Sequence, residues 1–267
     1  MKKKIIGLAA MGALLMAGQA SATLVDALAG YQGPLYFDLS GYSKSLDQGE
    51  TWGVITVNGV FKDQAQTVAN RLWVSAASDQ MYGTFYGLTD NYNEPTSYDS
   101  DGTPTGYSIG QEGGGFTLYS VAGDVDMLQG PAGRIGVDGY NGMGSDILFT
   151  GVFERGVDPS NPLVTMVQTV LAKNSPTSGE GLGYGSVTGG ALYSTLHSQA
   201  IMDSSGGKHD LLFSFNVLLP TPAATTAGWS QSLTDPIQAN AVPEPSTMLL
   251  FGAGLMGLAA VGRKVRK

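Results

Sequence analysis

Trp52-Gly53-Val54-Ile55-Thr56-Val57-Asn58-Gly59 is the stretch that decides the fold class. Successive side chains of an extended chain point to opposite faces, so Trp52, Val54, Thr56 and Asn58 share one face and Gly53, Ile55 and Val57 the other. The two faces are unequal, as in a strand that packs differently on its two sides. This strand runs over residues 52–61. Working outward, residues 35–39, 67–75, 81–88, 116–121, 147–153, 183–188 and 211–218 read as further strands, separated by Gly, Asn, Asp and Pro clusters that mark turns.

Composition supports the same class. Glycine supplies 39 of 267 residues, about twice its ordinary share, and Ser, Thr, Tyr and Val are frequent. Runs of Ala, Leu, Glu and Lys at helical spacing are missing from the body of the chain, so βαβ units are not expected. Residues 163–171 are ambiguous. Asn161-Pro162 can open a helix with Leu163, Met166, Val167, Val170 and Leu171 on one face; the β-branched Val164, Thr165, Val167, Thr169 and Val170 favour a strand, which is the preferred reading. Residues 220–241 are rich in Thr, Ala and Pro and read as a flexible linker. With no cysteine to form disulfides, an all-β body must rest on its core.

The N-terminus is a different kind of sequence. Lys2-Lys3-Lys4 precedes an apolar run from Ile5 to Ala17, and Ala20-Ser21-Ala22 fits a small-x-small cleavage pattern, which places the mature start at Thr23. Residues 1–22 are thus a signal peptide, with the Sec translocon as the expected export partner. Lys2–Lys4 and Arg263–Lys267 hold seven of the 14 Lys and Arg, while all 22 Asp and Glu lie between Asp26 and Glu244. The residues between the two ends therefore carry about −15, against −8 for the whole chain. Such a surface opposes nucleic acid, whose phosphates need cations, and attracts divalent cations.

At the other end, Pro243-Glu244-Pro245-Ser246 precedes a stretch without charge from Thr247 to Gly262, followed by Arg263, Lys264, Arg266 and Lys267. As a helix the uncharged stretch reaches roughly 24 Å at about 1.5 Å per residue, slightly short of a bilayer core of ~30 Å. Cations directly after it stay on the cytoplasmic side, so the residues before Pro243 lie across the inner membrane.

Box, apolar helix and basic end together resemble a PEP-CTERM sorting signal, the type recognised by exosortases in Gram-negative bacteria that make extracellular polysaccharide. The resemblance covers residues 242–267. It implies that Pro243, Glu244 and Pro245 are the recognition element, that an exosortase is a partner, and that the helix is removed on the way to the cell surface or matrix. The strands between Phe116 and Leu219 also resemble the repeated-strand bodies of such proteins. Together these readings predict a single jelly-roll-like β-sandwich over residues 23–219, flanked by a signal helix and a transmembrane sorting helix.

Catalytic patterns are sparse. His197 and His209 are the two histidines, too few for a three-His zinc site, and neither belongs to a His-Glu-x-x-His motif. Ser145 and Ser186 lack the first glycine of a nucleophile elbow. Calcium is the one cofactor that the sequence suggests: Asp99-Ser100-Asp101-Gly102 offers Asp99 and Asp101 beside a turn glycine, and residues 124–126 and 138–141 offer similar groups, although the same residues cap tight turns on their own. Tyr82, Phe85, Tyr86, Tyr92 and Tyr98 are candidate sugar-stacking rings. The expected role is non-catalytic, structural or adhesive, with extracellular polysaccharide as a partner. The alternative is a polysaccharide-active enzyme or a calcium-dependent carbohydrate-binding module.

Overall fold

The computed structural model of the protein describes residues 23–45, 49–171, 178–235 and 237–242. A short helix, α1 (Leu24–Leu28), leads into β1 (Gly33–Ser45), β2 (Glu50–Phe61), β3 (Arg71–Val74), β4 (Gln80–Tyr98) and β5 (Pro104–Val121). After β5 comes a covering segment with a small hairpin of β6 (Arg134–Ile135) and β7 (Gly139–Tyr140). There follow β8 (Ile147–Glu154), β9 (Val164–Leu171), β10 (Ser178–Gly189) and a one-turn helix, α2 (Tyr193–Leu196). The hairpin of β11 (Ile201–Met202) and β12 (Lys208–His209) precedes β13 (Leu211–Leu218), α3 (Pro222–Thr226), β14 (Gln231–Thr234) and β15 (Ile237–Ala241).

Eleven of these strands form one antiparallel sheet. β8 and β9 occupy a single lane between β5 and β10, β8 against residues 115–119 of β5 and β9 against residues 106–112. β14 and β15 share a lane between β1 and β13 in the same way. β1 pairs β2 from Tyr36–Phe61 to Ser45–Thr51, which joins the first lanes to the last through β15 and closes the sheet on itself. Closure removes the open edges that invite strand addition over most of its height.

Alternation now has a cause. Ile55 and Val57 point into the closed sheet, where Phe116 lies 5.1 to 6.3 Å from Phe149, Phe153 and Phe213. A Cβ on Gly53 or Gly151 would overlap a ring and a neighbouring carbonyl, so these two glycines let Phe85 and Phe116 cross the interior. Trp52 and Val54 point outward and are buried as well, under a second layer made by the β5–β8 segment and α3. Trp229 stacks on Tyr42 and lies 5.3 Å from Trp52, its indole N–H donating to the Met127 carbonyl. Tyr140 donates to the Asp126 and Met127 carbonyls, and burial, with the Asp126 charge second, pushes its hydroxyl up to about 12.

One end of the closed sheet is plugged. α1 is far too short to be stable alone, yet Leu24 and Leu28 are fully buried in the main core, worth roughly 1.5–3 kcal/mol each. Leu192 and Leu196 of α2 enter the same cluster. At the opposite end β4 and β5 continue past the end of β2 as a long hairpin, flanked by β9 as far as Gly106, that turns at residues 99–103.

The all-β class and the face-to-face packing of sheet across one core are as expected, and residues 164–171 are a strand. The connectivity departs from a jelly roll: lanes adjacent in sequence are adjacent in space, because tight turns and in-lane interruptions replace crossing connections. Residues 220–241 are no linker. They form α3, β14 and β15, and Leu233, Ile237, Ala239 and Ala241 are buried. Ala239 and Ala241 belong to the main core, where β15 packs beside α2, and Ala224 to the outer cluster; the folded body therefore extends to Ala241.

Candidate functional site

The sorting region begins where the sheet ends. Ala241 is 4% exposed and paired with Gly33, and the Val242 N–H donates to the Thr195 carbonyl at 2.9 Å. Both halves of the chain's polarity meet here: Thr23 caps α1, its hydroxyl accepting from the Asp26 N–H, while α2 and the end of β15 sit at the same plugged end. Of the processing residues read from the sequence, Ala20, Ala22, Pro243, Glu244, Pro245, Arg263, Lys264, Arg266 and Lys267 lie outside the described residues.

A groove of about 700 Å³ opens across the outer faces of β9, β10 and β13. Its floor carries Glu180, Leu182 and Asn216, and its walls are Tyr92 with Asp158 on one side and Asp235 on the other. Tyr92 lies flat over Gly110, where any Cβ would overlap its ring. Its hydroxyl donates to Asp158 Oδ2 at 3.1 Å, and burial raises its pKa above the usual tyrosine value. Asp158 Oδ1 accepts from the Ser160 hydroxyl at 2.6 Å and the Ser160 amide at 2.8 Å. The Ser160 hydroxyl contributes most to holding the Asp158 carboxyl below the usual range. On the far wall the Asn216 amide donates to Asp235, whose φ of 101° is forced by the break between β14 and β15. The groove thus offers a flat ring, an exposed leucine, hydroxyl-seeking carboxylates and an amide, and among the described residues no lysine or arginine lines it.

Of the aromatic candidates, only Tyr92 reaches this groove. Tyr82 and Tyr86 pack against the outer cover, Phe85 lies inside, and Tyr98 is exposed on the long hairpin. Asp158, Glu180, Asn216 and Asp235 were not readable as a set because they come from four separate segments; Asp158-Pro159-Ser160 signals only a turn.

Asp99 and Asp101 sit at the tip of the β4–β5 hairpin. Asp99 Oδ1 accepts from the Asp101 and Thr103 amides at 3.0 and 2.8 Å, so this carboxylate holds its own turn. Among the described residues no three His, Asp or Glu side chains converge as a metal site requires.

Both histidines are paired with aspartates. The His209 ring N–H donates to Asp203 at 3.0 Å, with Tyr184 stacked on the imidazole at 4.5 Å. Asp203 also accepts from the Ser205 hydroxyl and amide and the Gly207 amide, and the His209 contact is the largest cause of a carboxyl held well below its usual range. Asp210, wholly buried, accepts from His197 and from the Val187 and Gln199 amides. These pairs fasten the segment between β10 and β13 to the sheet.

No curated protein and no solved structure matches the chain. A family model for the PEP-CTERM protein-sorting motif matches residues 241–266. The match starts at the last residue of β15 and contains the Pro-Glu-Pro box, the apolar stretch and the basic residues. The chain carries a PEP-CTERM protein-sorting motif, which marks it as an exported protein and implies processing by an exosortase.

Proposed function

We propose that the protein is a surface or exopolymer-matrix component with a structural or adhesive, non-catalytic role, held briefly in the inner membrane by its tail with the body on the periplasmic side. The observation that carries this reading is a sorting motif fused without a spacer to a rigid closed sheet. The Tyr92–Asn216 groove is its contact for extracellular polysaccharide. Sugar rings stack on flat aromatic faces, and ionised carboxylates accept hydroxyl hydrogens strongly. The low pKa of Asp158 suits an acceptor rather than a proton donor. Asp158 and Glu180 on one groove also favour a second reading, a glycoside-active enzyme, in which Glu180 is the acid.

Co-sedimentation of residues 23–242 with exopolymer, with and without calcium, tests the binding. Wild-type protein is expected to sediment and Tyr92→Ala to stay in solution with unchanged melting. Equal sedimentation of both would remove the groove from the reading. Release of reducing ends that Glu180→Gln abolishes would favour the enzyme.

A further inference from the structure

We infer that the α1–α2 end of the closed sheet is the membrane-facing end of the precursor, and that its rim, including Val25, Val68, Lys62 and Arg71, rests on the phospholipid surface. The inference rests on the anchored precursor proposed above and adds which face of the body meets the bilayer.

The argument starts from tether length. Val242 is fixed by its hydrogen bond to Thr195, and Ala241 by its pairing with Gly33. Four residues, Pro243 to Ser246, separate this point from the uncharged stretch that begins at Thr247. Fully extended they reach at most ~14 Å. A tail seated in the bilayer therefore draws the end of β15 to the headgroup layer. The tip of the β4–β5 hairpin lies at the other end of the body: from Met81 to Tyr98 the strand runs roughly 55 Å at ~3.3 Å per residue, so the short tether cannot bring it to the same surface while the plugged end faces away.

Register places the rim. β15 ends opposite Gly33 at the start of β1, and β2 ends opposite Tyr36, three residues or roughly 10 Å further along β1, where Arg71 pairs with Phe61. Residues 68–70, just before β3, extend beyond it, and α1 packs beside β3. Val68 is 76% exposed and Val25 39%, apolar groups with no cover in the body. Lys62 and Arg71 are exposed at the same rim. On a body with a charge of about −15, two of its few cations thus stand where lipid phosphates would meet them. Asp26 and Asp63 stand at the same rim and offset these two cations, so the contact rests on the exposed valines and the short tether.

The cysteine-free chain allows single labels. The full chain is reconstituted into vesicles of phosphatidylethanolamine and phosphatidylglycerol carrying headgroup nitroxides, with a fluorophore on Val68→Cys, Val25→Cys, Tyr98→Cys or Leu218→Cys. Leu255→Cys, with acyl-chain nitroxide, reports insertion of the tail. Quenching several-fold stronger at residues 25 and 68 than at 98 and 218 is expected. Equal quenching at both ends, or stronger quenching at 98 and 218, with Leu255→Cys quenched, overturns the inference and leaves the anchored precursor standing. An unquenched Leu255→Cys overturns the anchored precursor and the inference with it.

Discussion

Gly53 shows how much one atom decides. Its place in an alternating run was legible, and a glycine inside a strand signals close approach, but the ring that approaches, Phe85, belongs to another strand and no local pattern announces it. A Cβ there would overlap both that ring and the Tyr42 carbonyl, and β1 and β4 hold the backbone on both sides. Gly53→Ala is expected to destabilise the body by about 2–3 kcal/mol, read as a lower urea midpoint with unchanged slope. Asp203 sets a pH limit. Its folded pKa is depressed, so its contribution is complete above the ordinary aspartate value of about 3.9 and is lost as pH falls through the lower folded value. Urea midpoints should therefore separate Asp203→Asn from wild type at pH 6 and converge toward pH 2; a constant gap across that range would show that the carboxylate charge is not what matters. His209 alone gave no hint of this partner, because Asp203 reaches it through a hairpin that only the structure reveals.

Among the elements, strands rich in β-branched and aromatic residues were legible, and β9 was decided by its β-branched side chains against a plausible helical face. β15 was not, although Ile237-Gln238-Ala239-Asn240-Ala241 does alternate: alanine and asparagine are poor strand formers, and only packing against an already crowded interior makes them fit. The hairpin tip shows the converse, since Asp and Gly there serve the turn through the backbone, the same residue types that a calcium loop uses. The three C-terminal elements are expected to be indispensable. A chain ending at Leu219 leaves one edge of β1 and one edge of β13 unpaired and removes Trp229 from the outer cluster. It should show no cooperative thermal transition by circular dichroism, whereas a chain ending at Val242 should melt like the intact body. Cooperative melting of the shorter chain would mean that the sheet closes without its last lane.

For the molecule as a whole, the address was more legible than the architecture, because a sorting tail is read in order along the chain while closure of a sheet depends on pairs far apart in it. The two processing signals predict an intact mass for surface-extracted protein that starts at or near Thr23 and lacks residues 248–267. Replacing Pro243, Glu244 and Pro245 with Ala should keep the tail on without changing the melting temperature, since all three lie beyond β15. A lowered melting temperature would place the box inside the folded body. The pairing of β1 with β15 also sets a timetable. A chain threaded across a membrane from its N-terminus presents Gly33 early and Ala241 last, when the uncharged stretch behind it is already entering the channel. The core cannot be sealed before that moment, since long-range pairings form only after the intervening chain is present. On the anchored precursor proposed above, completion of the fold and arrest in the membrane would thus be one event in time, with an open chain persisting until the tail ends the passage.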